Sequence, residues 1–166
     1  RPETRVAYGT VYAWARNSSG TLAQSPAMTL PTSVSQCRTG SAPSCTGTAD
    51  EKLITIAYPT GGPSNALPAS ATVKAGNNTL AETTAITYDN YGNIVSVDGP
   101  LSGSADTSVA FYNLARQPTG TITPDPDGAG GNPNLATRTT DDSVGRPYLV
   151  ENGVTAGQTS SALGSM

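Results

Sequence analysis

The chain has 166 residues, of which nine are basic and twelve acidic, and its net charge is −3. It has no basic cluster, which excludes the positive surface that binds phosphate backbones, so we expect no nucleic-acid partner. It has no histidine, which excludes a Ser-His-Asp triad, a Cys-His dyad and imidazole metal ligands. No apolar run reaches the roughly 20 residues of a membrane-spanning helix.

Short β-branched or aromatic runs bounded by Gly, Pro, Asn or Asp recur along the chain and predict strands. They cover residues 5–16, 53–58, 70–75, 83–89, 93–99, 108–113, 119–125, 136–142 and 146–155. No window of a dozen residues keeps the apolar stripe of a helix without a Gly or Pro breaking it. We therefore predict an all-β fold, an antiparallel meander of β-hairpin repeats that forms a solenoid-like sheet or a sandwich with long turn-rich loops.

The first run, residues 5–16, carries aromatic side chains at Tyr8, Tyr12 and Trp14. On a single strand these alternating positions share one face. That face is either buried, or exposed as a stacking surface for a carbohydrate. We favour burial, because a chain with one Phe and few Leu residues needs its aromatic side chains for a core.

Two cysteines, Cys37 and Cys45, stand eight positions apart in a segment of small and turn-forming residues. A zinc site would need further ligands, which in the absence of histidine could only be carboxylates. We therefore predict a disulfide bond, and with it an oxidising compartment outside the cytoplasm. We predict no cofactor and no bound metal.

The clearest hairpin lies at residues 86–97, where two alternating runs flank DNYGN and Gly92 can adopt a positive φ. Aligned on Tyr88, this unit matches a second around Tyr112 and a third around Asp141. Fainter units begin at Tyr8 and Tyr58. The steps between the last four markers are 30, 24 and 29 residues. Stacked hairpins of this size are typical of repeat proteins, in which each unit buries apolar surface against its neighbours.

The segment TYDNYGNIVSVDGP resembles the tyrosine–aspartate (YD) repeat of the rearrangement-hotspot (RHS) family. In that repeat a Tyr-Asp pair is followed by Gly-Arg or Gly-Asn and then by an alternating strand. The run from residue 1 to 154 is similar to the degenerate YD-repeat stretches of large bacterial wall-associated or secreted proteins. Here Asn113 replaces the usual Asp of the second unit, and Asp141 takes the Tyr position of the third. The signature residues are Tyr88, Asp89, Gly92, Asn93, Tyr112, Arg116, Gly145 and Arg146.

The repeat pattern changes in quality along the chain, which we treat as a single β-rich repeat domain, 1–166. Residues 1–80 hold weak repeats and the Cys37–Cys45 loop, residues 81–155 hold the YD-type repeats, and residues 156–166 read as a flexible tail. The N-terminus has neither an initiator Met nor the apolar region of a signal peptide. We therefore expect the chain to be a piece of a longer or processed precursor.

Paired carboxylates can catalyse glycoside hydrolysis when they are held at a fixed separation. The candidates are Asp50, Glu51, Glu82, Asp141 and Asp142. Adjacent residues on a strand point to opposite faces, so the two neighbouring pairs do not suit that geometry, and solvated turn residues are the better interpretation. Lys52 and Lys74 lie in no recognisable Ser-Lys nucleophile motif. The sequence therefore favours a protein that is not an enzyme.

An oxygen-rich segment, PDPDGAGGNPN, holds Asp125, Asp127, Asn132 and Asn134 around three glycines. Such a loop can wrap a calcium ion, but this one lacks the EF-hand spacing and its terminal Glu. We favour a plain multi-turn loop whose dihedrals are set by Pro and Gly. Two glycosylation sequons, at Asn17 and Asn77, are interpreted as surface markers only.

The resemblance to RHS proteins implies a structural role, either as part of a β-sheet shell around a C-terminal toxin or as an adhesive surface structure. A chain of this length cannot close a shell, so we expect open strand edges, and an open edge pairs readily with another strand. The expected partners are further copies of the chain, in a surface or filamentous assembly, or the remainder of a larger RHS-type protein. The alternative is a secreted carbohydrate-binding or adhesion module that contacts surface glycans. Both interpretations place the protein outside the cell or on its surface.

Overall fold

The computed structural model describes residues 3–40, 43–60, 64–125, 127 and 132–166. The strands are β1 (Thr4–Val11), β2 (Trp14–Arg16), β3 (Leu22–Gln24), β4 (Met28–Cys37), β5 (Glu51–Ala57), β6 (Ser70–Ala75), β7 (Ala81–Tyr88), β8 (Ile94–Asp98), β9 (Ser108–Tyr112), β10 (Pro118–Ile122), β11 (Asn134–Asp141) and β12 (Pro147–Thr155); the helix is α1 (Ser160–Gly164). Ten strands form one sheet in the order β1-β4-β5-β6-β7-β8-β9-β10-β11-β12, and β2 pairs with β3 in a separate sheet. The predicted all-β antiparallel meander is confirmed.

The chain divides into two compact units, Arg1–Ala85 and Ile86–Met166, and the boundary falls within β7. From the sequence we predict one domain, with a change of repeat quality at residue 81. The structural division lies close to that change. The turns that carry the YD-type pattern all belong to the second unit.

Two strands of the N-terminal unit, β3 and β4, were not predicted from the sequence, and β4 is the longest strand of the described residues. Pro31 stands in its middle, and a proline normally argues against an inner strand because it cannot donate to the ladder. It lies opposite Tyr8, at the point where the β1–β4 register shifts. Its carbonyl oxygen accepts a hydrogen bond of 2.9 Å from the Tyr58 hydroxyl. The irregular register accommodates Pro31, the residue that argued against a strand at this position in the sequence.

The core of the C-terminal unit forms where α1 packs on the sheet. Leu163 of α1 is buried against Ile122 and Ala136, and Val109, Phe111 and Met166 pack around them. Thr159 caps the helix by accepting a hydrogen bond from the Ala162 amide, as expected of an N-cap threonine. The prediction of a flexible tail at residues 156–166 is therefore wrong for this segment. A five-residue helix leaves no periodic pattern in the sequence, and burial of one leucine side chain anchors it.

Few side chains of the described residues are fully buried. The buried hydrophobic ones are Val11, Cys37, Cys45, Ile122, Ala136 and Leu163. Large apolar side chains stay exposed on both units, which is unusual for a domain that completes its own core. Among the described residues, no helix is long and apolar enough to cross a membrane.

Candidate functional site

Three hairpin turns of the C-terminal unit, at residues 89–93, 113–117 and 142–146, share the same five-residue geometry. In each turn the amide of the first residue donates to the carbonyl of the fifth, at 3.0, 3.0 and 2.8 Å. The amide of the fourth residue donates to the carbonyl of the first, at 3.1, 2.9 and 3.0 Å. We call these three turns the turn ladder. Their shared geometry shows that the three units are structurally equivalent at their turns.

An Asp or Asn side chain closes each turn of the ladder, as in other Asx turns. Asp89, Asn113 and Asp142 each accept hydrogen bonds of 2.8–3.0 Å from the amides of the third and fifth residues. The Arg146 amide, followed by the Arg146 side chain, lowers the pKa of Asp142, although desolvation opposes the shift. Desolvation also acts to raise the pKa of Asp89, but hydrogen bonds from Asn93 and Tyr91 hold it below its ordinary value. Both carboxylates therefore serve as ionised acceptors within the turn.

The fourth position of each turn requires a positive φ. Gly92 has φ of 85° and Gly145 has φ of 81°, so the predicted left-handed conformation of Gly92 is confirmed. Arg116 takes the same position with φ of 66°. A side chain there costs roughly 1–2 kcal/mol, which an interaction of the arginine must offset.

That interaction joins neighbouring turns. The Arg116 guanidinium donates to the carbonyl oxygen of Tyr91 at 2.8 Å and to the side-chain oxygen of Asn93 at 3.3 and 3.4 Å. The next residue, Gln117, donates to the carbonyl oxygen of Gly145 at 2.6 Å. The second turn is therefore bonded to both the first and the third.

The signature residues predicted from the sequence gather around this ladder. Asp89, Gly92 and Asn93 build the first turn, Arg116 lies in the second, and Gly145 and Arg146 lie in the third. The Tyr112 hydroxyl donates to the carbonyl oxygen of Ile94 at 3.0 Å, which links β9 to the start of β8. Burial raises the pKa of Tyr88. These contacts assign the signature residues to turn closure and hairpin stacking.

A fourth turn of the same kind was missed, at residues 17–21 between β2 and β3. The Asn17 amide donates to Thr21 at 2.9 Å, and Gly20, with φ of 78°, donates to the Asn17 carbonyl at 2.9 Å. The Asn17 side chain accepts from the amides of Ser19 and Thr21, both at 3.0 Å. The signal that could have revealed it is Asx-x-x-Gly, which the sequon interpretation of Asn17 obscured.

The aromatic residues of the first predicted run do not form one ladder. The run is interrupted between β1 and β2, so Tyr8 lies on one strand and Trp14 on another. Tyr8 is 62% exposed, which contradicts the prediction that it lines a buried face. Tyr12 lies between the strands and is half-buried. A continuous stacking surface for a glycan is therefore not built from these three side chains.

The strands β1 and β12 stand at the two ends of the sheet order. From Leu149 to Thr155, β12 keeps an unbroken register with β11; its irregularity is confined to the residues next to Asp141. Leu135, Val150 and Val154 lie on one face of the β11–β12 pair and are 51–60% exposed. The only charged residue of β12 is Glu151, which forms an ion pair with Arg138 at 2.9 Å. This edge is long, regular and largely apolar.

Four of the five candidate catalytic carboxylates, Asp50, Glu51, Asp141 and Asp142, accept hydrogen bonds that hold the local structure together. Asp50 accepts hydrogen bonds from Thr39 and Gly40, and Asp141 accepts one from Asn113 at 3.2 Å. Glu82 and Lys52 are exposed on different strands. The interpretation of these residues as solvated is wrong for Glu51, which is 4% exposed.

Glu51 lies at a corner that is formed by β4, the disulfide bond and the turn between β6 and β7. Its carboxylate accepts hydrogen bonds from the Ser35 hydroxyl and, at 2.7 Å, from the Gly47 amide. Cys37 lies opposite Glu51 in the β4–β5 pair and is bonded to Cys45, with the two Cα atoms 5.8 Å apart. The predicted disulfide is confirmed. We call Cys37, Cys45, Gly47 and Glu51, with Gly76 beside them, the Glu51 corner.

The oxygen-rich segment after β10 lies partly outside the described residues, at 126 and 128–131. Asp127 and Asn132 bond to each other at 2.9 Å. Asn134 is buried and donates to the carbonyl oxygen of Thr123 at 3.0 Å. Within the described part of the chain, no group of three or more His, Cys, Asp or Glu side chains could hold a metal ion.

A shallow depression of about 260 Å³ lies over β8, β9 and β10. Its lining consists of Ile, Val, Ala, Ser and Thr residues between Ile94 and Thr123. None of these side chains ionises near neutral pH, so the depression offers no general acid or base.

Comparison with models of known protein families finds no match, and comparison with curated proteins finds no similar sequence. Membership of the YD-repeat family therefore stays a prediction.

Proposed function

We propose that the chain is a non-catalytic structural segment of an extracellular or cell-surface protein. It supplies a stretch of β-sheet that is extended by pairing its edge strand β12 with a strand from a neighbour. In the isolated protein that neighbour is another copy of the chain. In a larger RHS-type protein it is the sheet that continues around an enclosed cargo.

The observation that carries this proposal is the character of β12. Natural edge strands are usually short, bulged, charged or interrupted by proline, because an exposed edge otherwise recruits other strands. β12 has nine residues, its proline and its irregularity lie at its beginning, and its one charge is neutralised by Arg138. The exposed side chains of Val150 and Val154 would be partly covered by a neighbouring strand.

The opposite edge of the sheet, β1, is better protected against strand addition. The register of β1 with β4 shifts between Ala7 and Tyr8, in the middle of the strand. Arg5 adds an exposed charge, which pairs with Glu3 at 3.1 Å. The register shift discourages strand addition, whereas the charge of Arg5 is balanced by Glu3 as that of Glu151 is by Arg138.

The turn ladder supports the same role. Hydrogen bonds from Arg116 and Gln117 fix consecutive hairpins to one another along the side of the sheet where the turns lie. Such cross-links resist shearing of neighbouring hairpins, which a load-bearing or enclosing sheet requires. The disulfide fits an oxidising setting.

The proposal is tested by comparing two substitutions of exposed apolar residues by lysine. Val150→Lys places a charge on the β12 edge, and Leu114→Lys places one in a turn, where the side chain is 96% exposed. Because both sites are exposed, neither change should unfold the chain. Gel filtration and negative-stain microscopy should show that the wild type and Leu114→Lys assemble while Val150→Lys does not. Equal assembly of all three, or a wild type that stays monomeric at high concentration, would refute the proposal.

A further inference from the structure

We propose that the Cys37–Cys45 disulfide is a redox latch on the N-terminal unit, which acts by holding the Gly47 amide on the buried carboxylate of Glu51. Reduction by a dithiol releases the latch and loosens β4, β5 and β6. The C-terminal unit stays folded. This inference does not depend on how the chain assembles.

The latch is built from three adjoining contacts. Cys37 and Glu51 face each other in the β4–β5 pair, so the disulfide attaches Cys45 directly beside the carboxylate. From Cys45 a short turn runs to Gly47: the Thr48 amide donates to the Cys45 carbonyl at 3.0 Å, and the Thr48 hydroxyl donates to the same oxygen at 2.6 Å. Gly47, with φ of 77°, then presents its N–H to Glu51 at 2.7 Å.

Glu51 makes the corner sensitive to this attachment because the carboxylate is buried. Only two donors, Ser35 and Gly47, reach its oxygens among the described contacts. A buried carboxylate that loses one of its donors keeps the full cost of leaving water. The corner has little room for water as a replacement, since a Cβ atom on Gly76 would lie 2.2 Å from a Glu51 carboxylate oxygen and 2.9 Å from the Thr48 carbonyl.

Release of the Glu51 carboxylate affects three strands, β4, β5 and β6. The Gly76 amide donates to the Glu51 carbonyl at 3.0 Å, so the end of β6 is bonded to the first residue of β5. Ser35 belongs to β4. Movement of the Glu51 carboxylate toward water therefore breaks its bond to Ser35 on β4 and removes the side chain that packs against Gly76 at the end of β6.

The chemical step is thiol–disulfide exchange. A thiolate of the dithiol attacks one cysteine sulfur, the S–S bond breaks, and a mixed disulfide forms. The second thiolate of the reductant attacks that mixed disulfide, forms a cyclic disulfide and releases the second cysteine. Two electrons and two protons pass from the dithiol to Cys37 and Cys45. Both cysteines are 4% exposed, so the attack requires local opening of the corner.

The test measures hydrogen exchange of the full chain, oxidised and after treatment with dithiothreitol, with mass spectrometry showing that both thiols are free. Amides of β5 and β6 should exchange about tenfold faster or more in the reduced chain, while those of β9, β10 and β11 should not change. Unchanged exchange in β5 and β6 would overturn the latch. Equal acceleration in both units would also overturn the latch, because it would show that the disulfide stabilises the whole chain and not the N-terminal unit alone.

A second comparison separates the latch from the general effect of a cross-link. In Glu51→Gln the carboxylate is already absent, so reduction should accelerate exchange in β5 and β6 much less than it does in the wild type. The control is Glu82→Gln, an exposed carboxylate on β7, which should respond to reduction as the wild type does. The same acceleration in all three proteins would show that the disulfide acts through chain entropy alone, and the role of Glu51 would be refuted.

Discussion

The guanidinium of Arg116 donates to the main-chain oxygen of Tyr91 at 2.8 Å, across two neighbouring hairpin turns, although Arg116 itself has a positive φ of 66°. The equivalent residues of the other two turns are glycines. The chain therefore accepts a strained backbone at the position of the ladder from which a side chain links the second turn to the first.

The opposing effects of backbone strain and hydrogen bonding at Arg116 predict different results for two substitutions. Arg116→Ala keeps the strain and loses the hydrogen bonds, so we expect the free energy of unfolding of the C-terminal unit to fall by about 1 kcal/mol. Arg116→Gly loses the same bonds but relieves the strain, so it should lie within about 1 kcal/mol of the wild type. Urea titration of both variants measures the difference. An alanine variant as stable as the glycine variant would contradict the strain at this position.

A second prediction concerns the packing of α1 against Gly120 of the sheet. A Cβ atom on Gly120 would lie 2.6 Å from Leu163 Cδ2 and 2.6 Å from the Thr137 carbonyl oxygen. Gly120→Ala should therefore displace α1 and lower the free energy of unfolding of the C-terminal unit by about 1–3 kcal/mol, as overpacking does elsewhere. Gly157→Ala is the control, since its Cβ would contact nothing within 4 Å. Thermal melts that rank the two variants equally would show that the close packing of α1 contributes little.

A third prediction concerns acid stability. Hydrogen bonds from Ser35 and then Gly47 lower the pKa of Glu51 from 4.5, against the effect of desolvation and with help from the charge of Arg5. A carboxylate whose folded pKa is lowered stabilises the fold above its unfolded pKa, and that contribution is lost as the pH falls through the folded pKa.

The urea midpoint of the N-terminal unit should therefore fall as the pH drops from about 6 to about 3. The same profile should be flatter in Glu51→Gln, which cannot ionise at this position, and unchanged in shape in Glu82→Gln. Parallel profiles for the wild type and Glu51→Gln would exclude a lowered pKa at Glu51.

The sequence predicted the parts of the fold that depend on local chemistry. Alternation of β-branched residues located nine runs that correspond to strands, and the run from Ser70 to Ala75 coincides with β6. The positive φ of Gly92 followed from the need for a reversal between two alternating runs. The disulfide followed from the short spacing of Cys37 and Cys45 and the lack of other metal ligands.

What the sequence concealed depends on contacts between distant residues. Pro31 is compatible with β4 because the register shifts where it faces Tyr8, and that shift is a property of the pair of strands. Glu51 is buried where the hydroxyl of Ser35, on β4, and the amide of Gly47, in the loop before β5, converge on its carboxylate. The bond from Arg116 to Tyr91 joins residues 25 positions apart. None of these relationships leaves a periodic signal.

In the proposed function, β12 is the edge at which the sheet is extended. Hydrogen exchange of the wild-type chain at rising protein concentration tests it most directly, because a strand that is added to the edge protects the outward-facing amides of Leu149 to Thr155. We predict that these amides become protected as the concentration rises, that those of β1 do not, and that Val150→Lys removes the effect. Amides of β12 that exchange at the same rate at every concentration, or protection confined to β1, would contradict the role of β12 in assembly.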